Sequence, residues 1–237
     1  MSISNSISRL TDYYRRHGLA ATIRRTRLAG ERLLFAGRMV VLYCDLDKRR
    51  LPPVNVPKAM RVERLQALAE LSAEHLQAMT SFWNPKLANR NIRERFEKRA
   101  SLWLVECEEQ LAGYGWTLQG KTIAPYYFPL GQDDVQLFDF YVFPRFRGRA
   151  IHWLLTSHIL HTLAAEGRSR AFADTGEWNQ AQRASFTMTP FRFLGYVRTY
   201  NVFGQILNRW VASGPVDREL KGTARNDRTM KVLRSNE

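Results

Sequence analysis

Apolar and polar positions change rhythm several times along this chain, and each change marks an element. Residues 135–143, VQLFDFYVF, form the strongest strand signal. From Ile151 the apolar positions Leu154, Leu155, Ile159 and Leu163 recur at the three-and-four spacing of a helix face, which Gly167 closes. Upstream, Ala59–Val62 opens a strand, and Leu65, Leu68, Leu71, Leu76 and Met79 form a stripe that predicts one helix over Arg64–Met79. A further helix is expected from Ile92 to Ala100. Leu102–Glu106 and Leu111–Trp116, separated by turn residues, read as a hairpin. Downstream the pattern predicts a short strand at Ala171–Ala173, a helix over Asn179–Phe193 and a last strand over Tyr196–Phe203.

The N-terminal region has a different character. Leu10, Tyr13, Tyr14 and His17, then Leu28, Leu33, Leu34 and Phe35, recur at roughly helical spacing, interrupted by Gly18, Gly30 and Gly37. Met39–Tyr43 reads as a short strand. Leu51–Pro57 carries three prolines, which sustain neither a helix nor a central strand, and so reads as a linker. The organisation expected is a helical extension and linker over 1–57, an α/β domain over 58–212, and a tail over 213–237 without apolar periodicity.

Composition narrows the class. With 237 residues, 45% of them hydrophobic, the chain suits one domain with an extension and has material for a real core. The formal charge is +14. Eleven Lys/Arg against four acids in residues 1–50 leave 11 − 4 = +7, half of that excess. Such a field favours nucleic acid, an anionic membrane or a phosphorylated ligand, and says nothing about fold. Two cysteines, Cys44 and Cys107, imply neither a disulfide framework nor a zinc site. His158 and His161 share a helix face that His152 does not, so no metal site is expected. No segment reaches the ~18 apolar residues of a membrane span, and MSISNSISRLTDYYRRHG has no leader-like apolar core, which makes the cytoplasm the expected location.

The candidate chemistry lies where strand 135–143 meets the helix at Ile151. The first turn of a helix presents unpaired backbone N–H groups, and its dipole favours anions. Arg147 and Arg149 flank that turn, and Gly148 lets the backbone approach a ligand closely. Strand, tight turn and helix N-terminus together make a pyrophosphate cradle.

The same stretch, Val142-Phe143-Pro144-Arg145-Phe146-Arg147-Gly148-Arg149-Ala150-Ile151, resembles the acetyl-CoA-binding motif of the GNAT superfamily of N-acetyltransferases. The element order from about residue 59 to 205 resembles it too, with Asn179 and Ser185 on the next helix and Phe193-Leu194-Gly195-Tyr196 as the closing segment. The resemblance implies a GNAT-like mixed central β-sheet flanked by helices. It also implies that Val142, Phe143, Arg145–His152, Asn179 and Ser185 contact acetyl-CoA or another acyl-CoA. Three departures stand out. Ala150 replaces a glycine, a change that costs little if its φ is negative. His152 replaces a small residue, where it would crowd the pyrophosphate, face away or add a donor. Phe191 falls where many members carry the tyrosine that protonates the departing thiolate.

In the chemistry implied, a neutral amine attacks the thioester directly, a carboxylate takes its proton, and a backbone N–H holds the oxyanion. The strand would part from its neighbour near Val142, with the Val142 or Phe143 N–H as that donor. Asp139 is the first candidate base, followed by Asp174 and Glu177. The acceptor class implied is a small-molecule primary amine; the basic 1–50 region suggests a phosphorylated or lipid-linked amino sugar of cell-envelope polysaccharide. That region also suits peripheral contact with anionic lipid, ahead of nucleic acid. A monomer or homodimer is expected. Two alternatives differ in kind: a non-catalytic GNAT-fold module binding membrane or nucleic acid, and a tRNA-dependent aminoacyl transferase.

Overall fold

The computed structural model describes residues 38–47, 51–81, 84–120, 126–202 and 205–211, with isolated helical positions at 14, 18, 19, 22, 23 and 26. The tail expected over 213–237 lies outside the described residues, as does most of the region before residue 38.

Eight strands form one sheet: β1 Arg38–Asp45, β2 Met60–Leu65, β3 Ser101–Cys107, β4 Gln110–Gln119, β5 Asp134–Val142, β6 Arg170–Gly176, β7 Arg192–Val202 and β8 Gln205–Val211. Four helices with described ends accompany them: α1 Ala73–Thr80, α2 Pro85–Glu97, α3 Ile151–Ala165 and α4 Gln180–Phe186. The strand order is β2-β3-β4-β5-β6-β1-β7-β8, antiparallel throughout except for the parallel β5–β6 pair.

Local chemistry corrects two expected helices. The single helix over Arg64–Met79 breaks into the end of β2, a short 3-10 turn at Leu68–Glu70, and α1. Ser72 ends the continuity: its extended backbone and its side chain, which accepts from the His75 N–H, start a new helix. The helix over Asn179–Phe193 stops at Phe186, and Phe191 already leads into β7. By contrast, α2 starts seven residues before the expected Ile92, because Asn84 caps it and Pro85 occupies its first turn.

The larger correction concerns β1. Residues 38–45 fall within the expected extension, yet they form an interior strand, paired on one side with β6 and on the other with β7. Val41 is fully buried, and Val40, Leu42, Tyr43 and Cys44 nearly so. A strand buried on both faces reads as an unbroken apolar run, which MVVLYC is. The 51–57 segment is likewise held down: Leu51 is buried, Val54 and Val56 pack on the core, and His161 bonds the Pro52 carbonyl oxygen at 2.6 Å.

The core has two layers. On one face α3 lies against Trp103, Val105, Val135, Leu137, Ala171 and Ala173. On the other, α1 and α2 cover β3 and β4 through Met79, Ile92, Phe96 and Trp116, while Tyr126, Tyr127 and Phe128 cover β6, β1 and β7. Each large apolar side chain so enclosed contributes about 1.5–3 kcal/mol. Cys44 and Cys107 are buried free thiols, and burial pushes Cys44 up to about 12.

Candidate active site

The only parallel contact in the sheet is also its weak seam. β5 and β6 pair from Asp134↔Arg170 to Leu137↔Ala173 and no further. Beyond that point β5 continues to Val142 bonded only to β4, and β6 continues to Gly176 bonded only to β1. A cleft therefore opens between them from Phe138 and Asp174 onward, earlier than the parting expected near Val142. Its closed end is pinned by the buried Asp134 carboxylate, which accepts two bonds from Arg170 at 2.8 and 2.9 Å.

The β5 wall is bulged. Register shifts between Tyr114 and Trp116, so Asp139 and Phe140 together oppose Gly115, and Asp139 takes a φ of 50°. Gly115 permits this, because a Cβ there would lie 2.6 Å from the Phe140 ring. The Phe143 N–H donates to the Ala112 carbonyl oxygen at 3.0 Å, which removes it as an oxyanion donor. The backbone left for that role is the 138–142 stretch.

The cradle follows at once. Pro144–Phe146 forms a 3-10 turn, Gly148 has φ 82°, Ala150 has φ 56°, and α3 begins at Ile151. Phe146 and Ile151 are buried in the core, so they anchor the loop from beneath instead of facing a ligand. Arg145 donates to the side chain of Gln110, the first residue of β4. Arg147 bonds the Val142 carbonyl oxygen at 3.2 Å, and Arg149 lies over the Phe146 ring; both are exposed. Ala150 departs from expectation: its φ is positive, a conformation that costs an L-residue about 1–2 kcal/mol.

His152 turns inward. Its ring packs 5.2 Å from both Phe140 on β5 and Phe186 on α4, and neither ring nitrogen has a hydrogen-bond partner among the described residues. Burial pushes the imidazole down to about 4, so it is neutral at pH 7. It thus neither crowds the cradle's outer mouth nor adds a cation to it. Beyond Phe186, α4, β1 and β7 border an open hollow of about 550 Å³ lined by Val40, Leu42, Phe191, Phe193 and Tyr196. Asn179 caps α4 by accepting from the Gln182 N–H, and the Ser185 hydroxyl donates to the Gln182 carbonyl oxygen, so both have local helix duties.

The three carboxylates sit in different surroundings. Asp139 is exposed and ion-paired with Arg95, whose guanidinium also lies over Trp116 and Phe138. It lines a small cavity of about 120 Å³ with Tyr114, Asn84 and Asn91 on the α1–α2 face. Glu177 pairs with Arg38 at 2.8 Å. Asp174 faces the same side of the sheet as Asp139, where Tyr127 donates to it at 3.2 Å and Gln136 supplies a second bond. Burial raises its pKa despite those two bonds. Tyr127 and Gln136 were not singled out from sequence; their signal is purely spatial, since they lie 47 and 38 residues before Asp174.

A mixed sheet with one splayed parallel pair, a bulged strand on one wall and an N–H-rich turn at its end is an acyltransferase architecture. The sequence pattern described as the Acetyltransferase (GNAT) family matches residues 67–188, and the chain belongs to that family. No curated protein matches the sequence. Among solved structures, a tandem GNAT protein from the clavulanic acid biosynthesis pathway is 16% identical, with a TM-score of 0.50, over 76% of this chain and 55% of its own. A GNAT-family acetyltransferase from Colwellia psychrerythraea is 13% identical, with a TM-score of 0.48, over 66% and 52%. AAC(6')-Iy, solved with a bisubstrate analogue of CoA and acetylneamine, is 12% identical, with a TM-score of 0.42, over 54% and 87%. The chain thus spans little more than half the length of the first two.

Proposed function

We propose that this protein transfers an acetyl group from acetyl-CoA, or another acyl-CoA, to a primary amine. The observation that carries the reading is the continuity of cleft and cradle. The edge of β5 that faces β6 carries no strand pairing from Phe138 to Val142 and runs directly into the turn at Arg147–Ala150, which carries two exposed arginines and leads into the N-terminus of α3. An extended thiol arm would pair with the edge, its diphosphate would meet the turn, and the thioester would lie beside the bulge. Position 191, where the resemblance implies the aromatic acid for the thiolate, holds a buried phenylalanine without a hydroxyl.

The acceptor we favour is an amino sugar of envelope polysaccharide, carried on a phosphorylated or lipid-linked group. The basic excess within residues 1–50 supports it, and we propose that the same region makes peripheral contact with anionic lipid at the cytoplasmic side. Among the described residues no helix is long and apolar enough to cross a membrane.

A second reading, a GNAT-fold binding module without turnover, draws on one observation. The His152 ring lies against Phe140 on the cleft wall, where the resemblance implies a small residue. Calorimetric titration with acetyl-CoA separates the two. The acyltransferase reading predicts micromolar binding that Arg147→Ala/Arg149→Ala weakens at least ~100-fold, since each charge-assisted bond is worth about 1.5 kcal/mol or more. No binding by the wild type, with binding gained by His152→Gly, would favour the module.

A further inference from the structure

Resting on the acyl-transfer reading, we propose that Asp174 is the base that accepts the proton of the attacking amine, and that Tyr127 is the positioning residue that holds it. Asp174 is the first residue of β6 past the last β5–β6 pair, so it stands at the apex of the cleft. Its register partner on β1 is Val41, and its neighbour two residues back is the buried Phe172. Tyr127 donates to it from the segment between β4 and β5, and Gln136 bonds it from the β5 wall. The residue keeps a solvent-accessible edge, so its carboxyl is enclosed without being sealed.

The rival carboxylates are already committed. Asp139 is held by Arg95 and Glu177 by Arg38, so each already has a charged partner. The titratable groups that face Asp174 are Tyr126 and Tyr127, both pushed up by burial and neutral at pH 7, while β1 and β5 present Val41 and Gln136. A carboxylate whose basicity is raised by enclosure suits proton abstraction near neutral pH. Gln136 Oε1 and Tyr126 Oη are also buried without a hydrogen-bond partner among the described residues, which leaves acceptor capacity beside the carboxylate.

The step balances within the site. The lone pair of a neutral amine forms the C–N bond at the thioester carbon, and the carbonyl π pair moves to oxygen. Asp174 takes one N–H proton. The oxyanion then re-forms C=O, the C–S bond breaks with its pair on sulfur, and Asp174 returns the proton to the thiolate. A separate aromatic acid is unnecessary, which agrees with a phenylalanine at position 191.

The test uses the full chain, with Asp174→Asn, Tyr127→Phe and the rival-carboxylate variant Asp139→Asn. Acetyl-CoA binding is measured by calorimetry and CoA release with glucosamine as the amine probe, from pH 5 to 9. The Asp174 carboxyl is titrated by ¹³C NMR. Asp174→Asn should bind acetyl-CoA like the wild type yet release CoA about 10²–10⁴-fold more slowly. Because the Tyr127 hydrogen bond favours the ionised carboxylate, Tyr127→Phe should move both the NMR titration and the acidic limb of turnover to higher pH. A purely structural tyrosine would move neither. Full turnover in Asp174→Asn, or a carboxyl that titrates at the ordinary aspartate value and ignores Tyr127→Phe, overturns the proposal. Absence of acetyl-CoA binding in the wild type overturns the acyl-transfer reading instead. A wild type that binds acetyl-CoA yet releases no CoA with glucosamine overturns the proposal for an amino-sugar acceptor.

Discussion

The two walls of the cleft are built from opposite kinds of information. The β5 wall belongs to a meander, β2 to β5, whose strands follow one another in sequence and in space. The β6 wall rests on β1, a strand from more than 120 residues earlier that slides between β6 and β7. Their carboxylates differ in the same way. Asp139 on the first wall is exposed and neutralised by a nearby arginine, whereas Asp174 on the second is enclosed by neutral groups gathered from three segments. Local chain order produces the binding surface; long-range assembly produces the group with unusual acidity.

The harshest way to break this comparison is to remove β1. A chain beginning at residue 58 should fail to fold, as judged by the loss of a cooperative thermal transition. It would expose both edges that the almost fully buried Val40–Cys44 run now covers. A folded, active fragment would return residues 38–45 to the status of an appendage.

Next in size is the contrast between the carboxylates. Against the large loss expected for Asp174→Asn, Asp139→Asn should leave turnover within about threefold, since that carboxylate is exposed and already paired. Stability should run the other way. The folded-state pKa of Asp174 lies above that of the unfolded chain, so its ionised form costs stability above the folded value. That cost disappears as pH falls below the unfolded value. Asp174→Asn should therefore melt higher than the wild type at pH 7 and converge with it in acid. A group that lowers stability while raising activity is the mark of a functional site.

The smallest effect is at the cradle. Ala150→Gly relieves a left-handed alanine and should stabilise by about 0.5–1 kcal/mol after the entropic cost of glycine, raising Tm by about 1–3 °C. Differential scanning calorimetry reads it directly.

The same contrast explains what the sequence could reveal. VQLFDFYVF, the Arg147–Ala150 turn and the α3 stripe are contiguous, and each is governed by its own neighbours, so strand, cradle and helix were all legible. Missed features depended on distance. MVVLYC announced a strand, but nothing in its residues says that it enters the middle of the sheet. The cleft begins at Phe138 because β6, paired with β1 along its whole length, parts from β5 after Ala173, which no local pattern encodes. Asp174 was one of three candidates, and only assembly shows that the other two are paired. Tyr127 carries no motif at all. Ala150 was readable as a departure, but the sign of its φ was not.

The claim at the centre is that the unpaired edge of β5 receives the acyl donor, and hydrogen–deuterium exchange with and without acetyl-CoA tests it most directly. Amides of residues 138–142 that face away from β4, and those of Gly148, Ala150 and Ile151 in the turn, should slow about tenfold or more on binding, while those of 134–137, already paired to β6, stay as they were. Protection confined to other parts of the sheet, with 138–142 unchanged at saturating acetyl-CoA, would contradict it.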